Sequence, residues 1–172
     1  MTITHRLFLC ALAMTCVALL AYGYYLQFYQ DLEPCPMCIF QRLCYMAVTI
    51  IALAGAAHAP RGRAIFVYFG FIGVFSAIGA AIAARQTWLQ HLPPELVPEC
   101  GPGLEFMLDM YPLLETIGRS LKGTGDCAEV SWRFLGFSIA EWSLVCFVTI
   151  SLALIWQTRS HISGKLAAGQ GN

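Results

Sequence analysis

A chain of 172 residues with ten acidic and ten basic side chains carries no formal net charge, and 58% of it is hydrophobic against 12% charged. That balance excludes an ordinary soluble domain, and no basic cluster of the kind that would bind nucleic acid is present. The apolar excess falls into four runs, each near the roughly 20 helical residues that cross a hydrocarbon core, so the chain reads as an all-α membrane protein.

The first run, Leu7 to about Phe28, exceeds the roughly 7–15 apolar residues of a signal-peptide core and is read as a retained helix. The second spans Ile39 to Ala57, the third Ala64 to Ala84 without a single charge, and the fourth about Ile139 to Trp156. Residues 1–172 thus form one four-helix transmembrane bundle, with loops at about 29–38 and 85–138 on one side of the membrane. In the third run Gly70, Gly73, Ser76, Ala80 and Ala84 predict close helix packing. Trp88, Trp132, Trp142 and Trp156 fall near span ends, where interfacial tryptophans need no special role.

Charge sets the orientation. Arg6, Arg61, Arg63, Arg159 and Lys165 lie on one side, which has no acidic residue, whereas the opposite side holds all ten Asp and Glu. The opposite side also has five basic residues, Arg42, Arg85, Arg119, Lys122 and Arg133. The short loop His58 to Arg63, with two arginines, against Gln30 to Met37, with none, therefore decides that the first side is cytoplasmic by the positive-inside rule, as are both termini.

Between the first two runs stands EPCPMCIFQR, Glu33 to Arg42. Pro36 suits the first turn of a helix, which places Cys35 and Cys38 at a positive helix end. Arg42 follows Cys38 by four residues and adds a permanent positive charge on the same face, a setting that favours thiolate. An arginine this close to the membrane boundary either snorkels to the interface or donates hydrogen bonds to an acceptor beside the cysteines. A quinone head group, with two carbonyl oxygens and a lipid tail, fits the second reading.

Of the eight cysteines, Cys10, Cys16, Cys44 and Cys146 lie inside spans and read as small packing residues. Cys35, Cys38, Cys100 and Cys127 lie on the outer, disulfide-permissive side. Three pairings are open. Cys35 with Cys38 and Cys100 with Cys127 is favoured, because a two-residue spacer is the redox-motif spacing and so short a loop gains little as a structural staple.

The outer loop is broken by Pro93, Pro94, Pro98, Pro102 and Pro112 and by Gly101, Gly103, Gly123 and Gly125, and reads as a mobile connection. Pro112 to Leu121 is predicted helical, with Leu113, Leu114, Ile117 and Leu121 on one face and Glu115 and Arg119 paired. That face would lie on the membrane or pack on the bundle top. Cys100, in PECG, and Cys127, in GDCA, occupy turn-like polar surroundings where a soluble protein thiol would reach them.

Cys35-Pro-Met-Cys38 with Arg42, the loop cysteines Cys100 and Gly-Asp-Cys127-Ala-Glu, and Trp132-Arg-Phe-Leu-Gly136 before the fourth span resemble the DsbB family of bacterial disulfide-bond formation proteins, from Leu7 to about Trp156. The resemblance implies a thiol:quinone oxidoreductase of the bacterial inner membrane, with its active cysteines facing the periplasm. A reduced DsbA-like partner would attack the Cys100 to Cys127 disulfide through Cys100. Electrons would then pass to Cys35 and Cys38, with Cys38 and Arg42 meeting ubiquinone or menaquinone. DsbA is a strong oxidant, so its reoxidation needs an acceptor of higher potential, which a respiratory quinone is. Gln86 stands where family members often have histidine. Its neutral amide would bond a quinone carbonyl but not protonate it. Gln41 stands at a position that can be acidic in the family, and receives no role.

Two other readings use the same residues: a tetrahedral metal site of the four outer cysteines, and a non-enzymatic scaffold with two structural disulfides. The best-supported expectation contains no metal site. The orientation is open to direct test. A Gly62→Cys variant should resist a membrane-impermeant maleimide in cells whose outer membrane alone is opened, read by mass spectrometry of that peptide, and labelling there would reverse the topology.

Overall fold

The computed structural model describes residues 3–60, 64–97, 104–123 and 125–169. Four helices are long and apolar enough to cross a membrane: α1 (Ile3–Tyr29), α2 (Pro36–His58), α3 (Ile65–Gln90) and, over Ile139–Ser160, a fourth. The connection between α3 and the fourth carries a short 3-10 turn (Pro94–Leu96), then α4 (Leu104–Met110), α5 (Leu113–Lys122) and α6 (Gly125–Ala128). A hairpin of β1 (Arg133–Phe134) and β2 (Phe137–Ser138) follows and leads into α7 (Ile139–Gly169), which contains the fourth span.

α1 packs on α2 and α2 on α3, as expected of antiparallel helices joined by short connections, and α3 packs on α7 across the long connection. Buried residues recur every three or four positions, with Leu9, Leu12, Ala13 and Cys16 on α1 facing Cys44, Tyr45, Val48 and Ala52 on α2. On α3 the buried stripe is Phe69, Ile72, Ser76, Gly79 and Ala83, and it continues into Gln86 and Leu89.

This stripe corrects the predicted one. Ser76 is buried as expected, but a Cβ on Gly70 or Gly73 would meet open space, and Ala84 is exposed. Gly79 is the point of close approach, where a Cβ would overlap the Phe147 ring of α7. Phe147 is stacked on Tyr45 with centroids 4.1 Å apart, so it has little room to retreat. Ser76 Oγ donates to the Phe147 carbonyl at 3.0 Å alongside, meeting a backbone acceptor where the small residues let the helices come together.

α3 also runs to Gln90 rather than ending near Ala84, so Gln86 belongs to a helix and not to the loop. The loop itself is more regular than its prolines suggest. The helix predicted from Pro112 forms as α5, and Glu115 and Arg119 pair at 2.9 Å on its exposed side. Its leucines do not pack on the bundle, however. Leu113 and Leu114 are exposed, whereas Thr116 and Ser120 are buried, with Thr116 Oγ1 donating to the Met107 carbonyl at 3.0 Å.

The start of α7 is set by a capping box: Glu141 N–H donates to Ser138 Oγ, and Ser138 N–H donates to Glu141 Oε2 at 2.6 Å. Leu135 and Gly136, both with positive φ, form the two-residue hairpin turn before it.

Gly79→Ala should lower the thermal unfolding midpoint of the detergent-solubilised protein, with a cost of about 1–3 kcal/mol for overpacking. Combining it with Phe147→Leu should recover part of that loss, whereas Gly73→Ala should leave the midpoint close to that of the parent chain.

Candidate active site

The site begins with the α2 N-terminus. Cys35 is the N-cap, in extended backbone, and its sulfur accepts from Cys38 N–H at 3.4 Å. Pro36 then opens the helix. This local geometry brings the Cys35 and Cys38 sulfurs to 3.0 Å, with Cys35 S–H donating to Cys38 Sγ. The two are thiols in this structure.

From α3, Gln86 Nε2 donates to both sulfurs at 3.3 Å. Its Oε1 accepts from Gln41 Nε2, on α2, at 2.7 Å. Gln41 sits one and two turns before Tyr45 and Val48, on the face of α2 that meets α3, which is why a polar side chain is buried there. Sequence reasoning assigned it no role. The available signal was a glutamine placed in register with a buried apolar stripe.

Cys127 arrives from the loop. Arg85 Nη2 donates to the Lys122 carbonyl at 3.1 Å, and the next residue, Gly123, lies so close to Leu89 that a Cβ would overlap it. Its φ of 89° also favours glycine. The chain therefore turns back over the end of α3, and α6 packs Cys127 against Cys35, Met37 and Leu89. Cys127 is fully buried and hydrogen-bonds Cys35, which corrects the expectation of a surface thiol. Cys100, its expected disulfide partner, lies outside the described residues.

The Cys127 and Cys38 sulfurs, and then burial, push the Cys35 thiol well above the ordinary cysteine range. Cys35 therefore keeps its proton and acts as donor within the group.

Arg42 is held by α1: Nη1 donates to Gln27 Oε1 at 2.5 Å, Nη2 donates to the Gly23 carbonyl at 3.0 Å, and the guanidinium lies 4.9 Å from the centroid of the Tyr24 ring. These partners explain how a cation is accommodated here, and Gln27 is a second residue that sequence reasoning passed over.

Cys35, Cys38, Gln41, Arg42 and Gln86 line one polar end of a cavity of about 490 Å³. Its remaining walls include Leu19, Leu26, Ile139, Trp132 and Trp142. The two tryptophans are thus more than interfacial markers. Trp142 Nε1 donates to the Phe134 carbonyl at 3.0 Å, and Trp132 packs edge-on against Tyr22 of α1, so the hairpin is fastened across the cavity wall. An apolar chamber with a few convergent polar groups is the usual form of a small-molecule site.

Fold and site define a class: a four-helix membrane protein with a buried thiol centre at one end of the bundle, opening on a largely apolar cavity. The model of the family described as Disulfide bond formation protein DsbB matches residues 5–157. A relative named Disulfide bond formation protein B, from Azoarcus sp. (strain BH72), is 50% identical over 141 residues, covering 82% of this chain and 84% of its own. Relatives of the same name from Hahella chejuensis and Methylococcus capsulatus are 46% and 51% identical, covering 88% and 77% of this chain and 92% and 81% of theirs. The chain belongs to the DsbB family.

A raised thiol pKa leaves less thiolate at a given pH, so Cys35 should alkylate more slowly at pH 8 than an ordinary protein thiol. Removing the adjacent Cys127 sulfur by Cys127→Ala should bring its reaction to lower pH. Iodoacetamide labelling quantified at each cysteine by mass spectrometry checks both.

Proposed function

We propose that this protein is a protein-dithiol:quinone oxidoreductase that reoxidises a DsbA-like thiol oxidase on the periplasmic side of the bacterial inner membrane. The observation that carries the reading is the meeting of three thiols, Cys35, Cys38 and Cys127, at the end of a four-helix bundle, two of them lining a mostly apolar cavity.

The proposed relay starts at Cys100. A thiolate of the partner bonds to Cys100 and breaks the Cys100 to Cys127 bond, which releases Cys127 as thiolate. Cys127 packs against Cys35, so the next bond formed is Cys127 to Cys35, which breaks Cys35 to Cys38 and leaves an electron pair on Cys38. The partner's second thiol then displaces Cys100 and leaves as an oxidised protein. Cys100 returns to Cys127, and Cys35 is released beside Cys38. Per turnover two electrons and two protons leave the partner, whose two thiols become one disulfide.

The residues present fit a quinone. Gln41 keeps a second amide N–H, Arg42 keeps N–H groups beyond those spent on Gln27 and Gly23, and the rest of the lining is mostly apolar, with Glu33, Asp126 and Glu129 among its polar members. A quinone held there would supply the acceptor for the two electrons and two protons that Cys35 and Cys38 give up as their disulfide re-forms. The role of Arg42 is to orient a carbonyl oxygen by charge-assisted hydrogen bonds, that of Gln86 to hold the sulfurs, and that of the tryptophan wall to exclude water.

The test is anaerobic: purified protein, reduced DsbA and a soluble quinone are mixed, and quinone reduction is followed by absorbance. Turnover is expected, with loss in Cys38→Ser. Arg42→Met should raise KM for quinone about tenfold or more, the loss of a charge-assisted bond, while sparing exchange with DsbA. Absence of quinone reduction, with zinc found in the purified protein, would favour a metal site instead.

A further inference from the structure

A carboxamide donates at one end and accepts at the other, so a buried glutamine presents to a sulfur the end that its other partner leaves over. Gln86 is 3% exposed and Gln41 is 4% exposed. Gln41 Nε2 occupies Gln86 Oε1 at 2.7 Å, and Gln86 Nε2 is thereby turned toward Cys35 and Cys38 Sγ, each at 3.3 Å. The reverse contact, from Cys38 S–H to Gln86 Oε1, is longer at 3.7 Å.

Resting on the proposed reading of Cys38 as the sulfur that delivers electrons, we propose that Gln41 is a positioning residue. It fixes the Gln86 carboxamide with N–H toward sulfur, making Gln86 a hydrogen-bond donor to the Cys38 thiolate. The hydrogen bond that Gln41 makes is to Gln86 and not to a sulfur. Gln41 acts through the orientation of its neighbour, and the neighbour is neutral, so the bond to Cys38 carries no titration of its own.

The other groups that bear on Cys38 are Cys35 and Arg42 on α2 and Cys127 on α6, while α3 contributes only the Gln86 amide. Removing Gln41 leaves those charges in place and frees the amide to turn. A donor pointed at sulfur favours the charged form and an acceptor disfavours it, which sets the sign of the effect.

The experiment uses the full chain in detergent with Cys35→Ser, so that Cys38 is followed alone, and reads iodoacetamide alkylation of Cys38 against pH by mass spectrometry. Gln41→Met should move the midpoint upward by about one pH unit, a roughly tenfold slower reaction below it. Gln86→Met should do the same, and the double variant should shift no further than either single one, because both remove one interaction. Gln41→Glu should also shift the midpoint upward, through the added negative charge as well as the turned Gln86 amide, so Gln41→Met, which adds no charge, carries the test. Thermal midpoints recorded in parallel identify variants that have lost the fold. An unshifted Cys38 midpoint in folded Gln41→Met would overturn the proposal, as would fully additive shifts in the double variant. The readout needs neither quinone nor partner protein. Shifted ionisation without quinone reduction would therefore count against the proposed acceptor and not against Gln41.

Discussion

The hydrogen bond between Gln41 and Gln86 joins the helix that carries the paired cysteines to the helix that runs beneath the loop. Both side chains are buried at the end of apolar stripes, where an unpaired amide would cost about 1–3 kcal/mol, so each requires the other. The pairing sets the register of α2 against α3 at the level of the sulfurs. Farther down, the same interface is maintained by apolar packing through Val48, Ala52 and Ile72, and α7 is drawn against α3 by Gly79 and Ser76.

The loop obeys the same constraint from outside. α5 does not bury its leucines against the bundle. Two local contacts turn the loop back, Arg85 to a carbonyl and Gly123 against Leu89, and they set Cys127 over Cys35. Under the proposed relay this contact decides which sulfur Cys127 meets first, because Cys35 is the one that it touches.

Arg42 illustrates how a charge is tolerated near hydrocarbon. Its guanidinium is fastened to α1 through Gln27 and Gly23 and lies over Tyr24, so it is neither stranded nor simply reaching for water. The same tether aims it along the wall of the cavity. Two of its N–H groups anchor the side chain to α1, and Arg42 also lines the cavity.

Several features were legible without coordinates. Four apolar runs of spanning length are a one-dimensional property, and so is the Cys35-Pro-Met-Cys38 spacing at a helix start, because Pro36 and the N-cap act on neighbours in the chain. The helix after Pro112 was legible for the same reason. Position relative to other elements was not. Whether Gly73 or Gly79 meets α7 depends on the rotation of α3, which is decided by the whole buried stripe. The extension of α3 to Gln90 follows from support by the loop and by Ser138, whose Oγ donates to Gln90 Oε1. Gln41 looked like any polar residue beside an arginine until Gln86 was placed opposite. Cys127 looked exposed because polar turn residues flank it, yet the fold buries it completely. Sequence alone determined the chemistry available, four thiols outside the apolar runs and an arginine at a helix end, since residue type and spacing carry it. Only the tertiary structure decided which of those groups touch, because hydrogen-bond partners separated by tens of residues are chosen by packing between helices and not by local propensity.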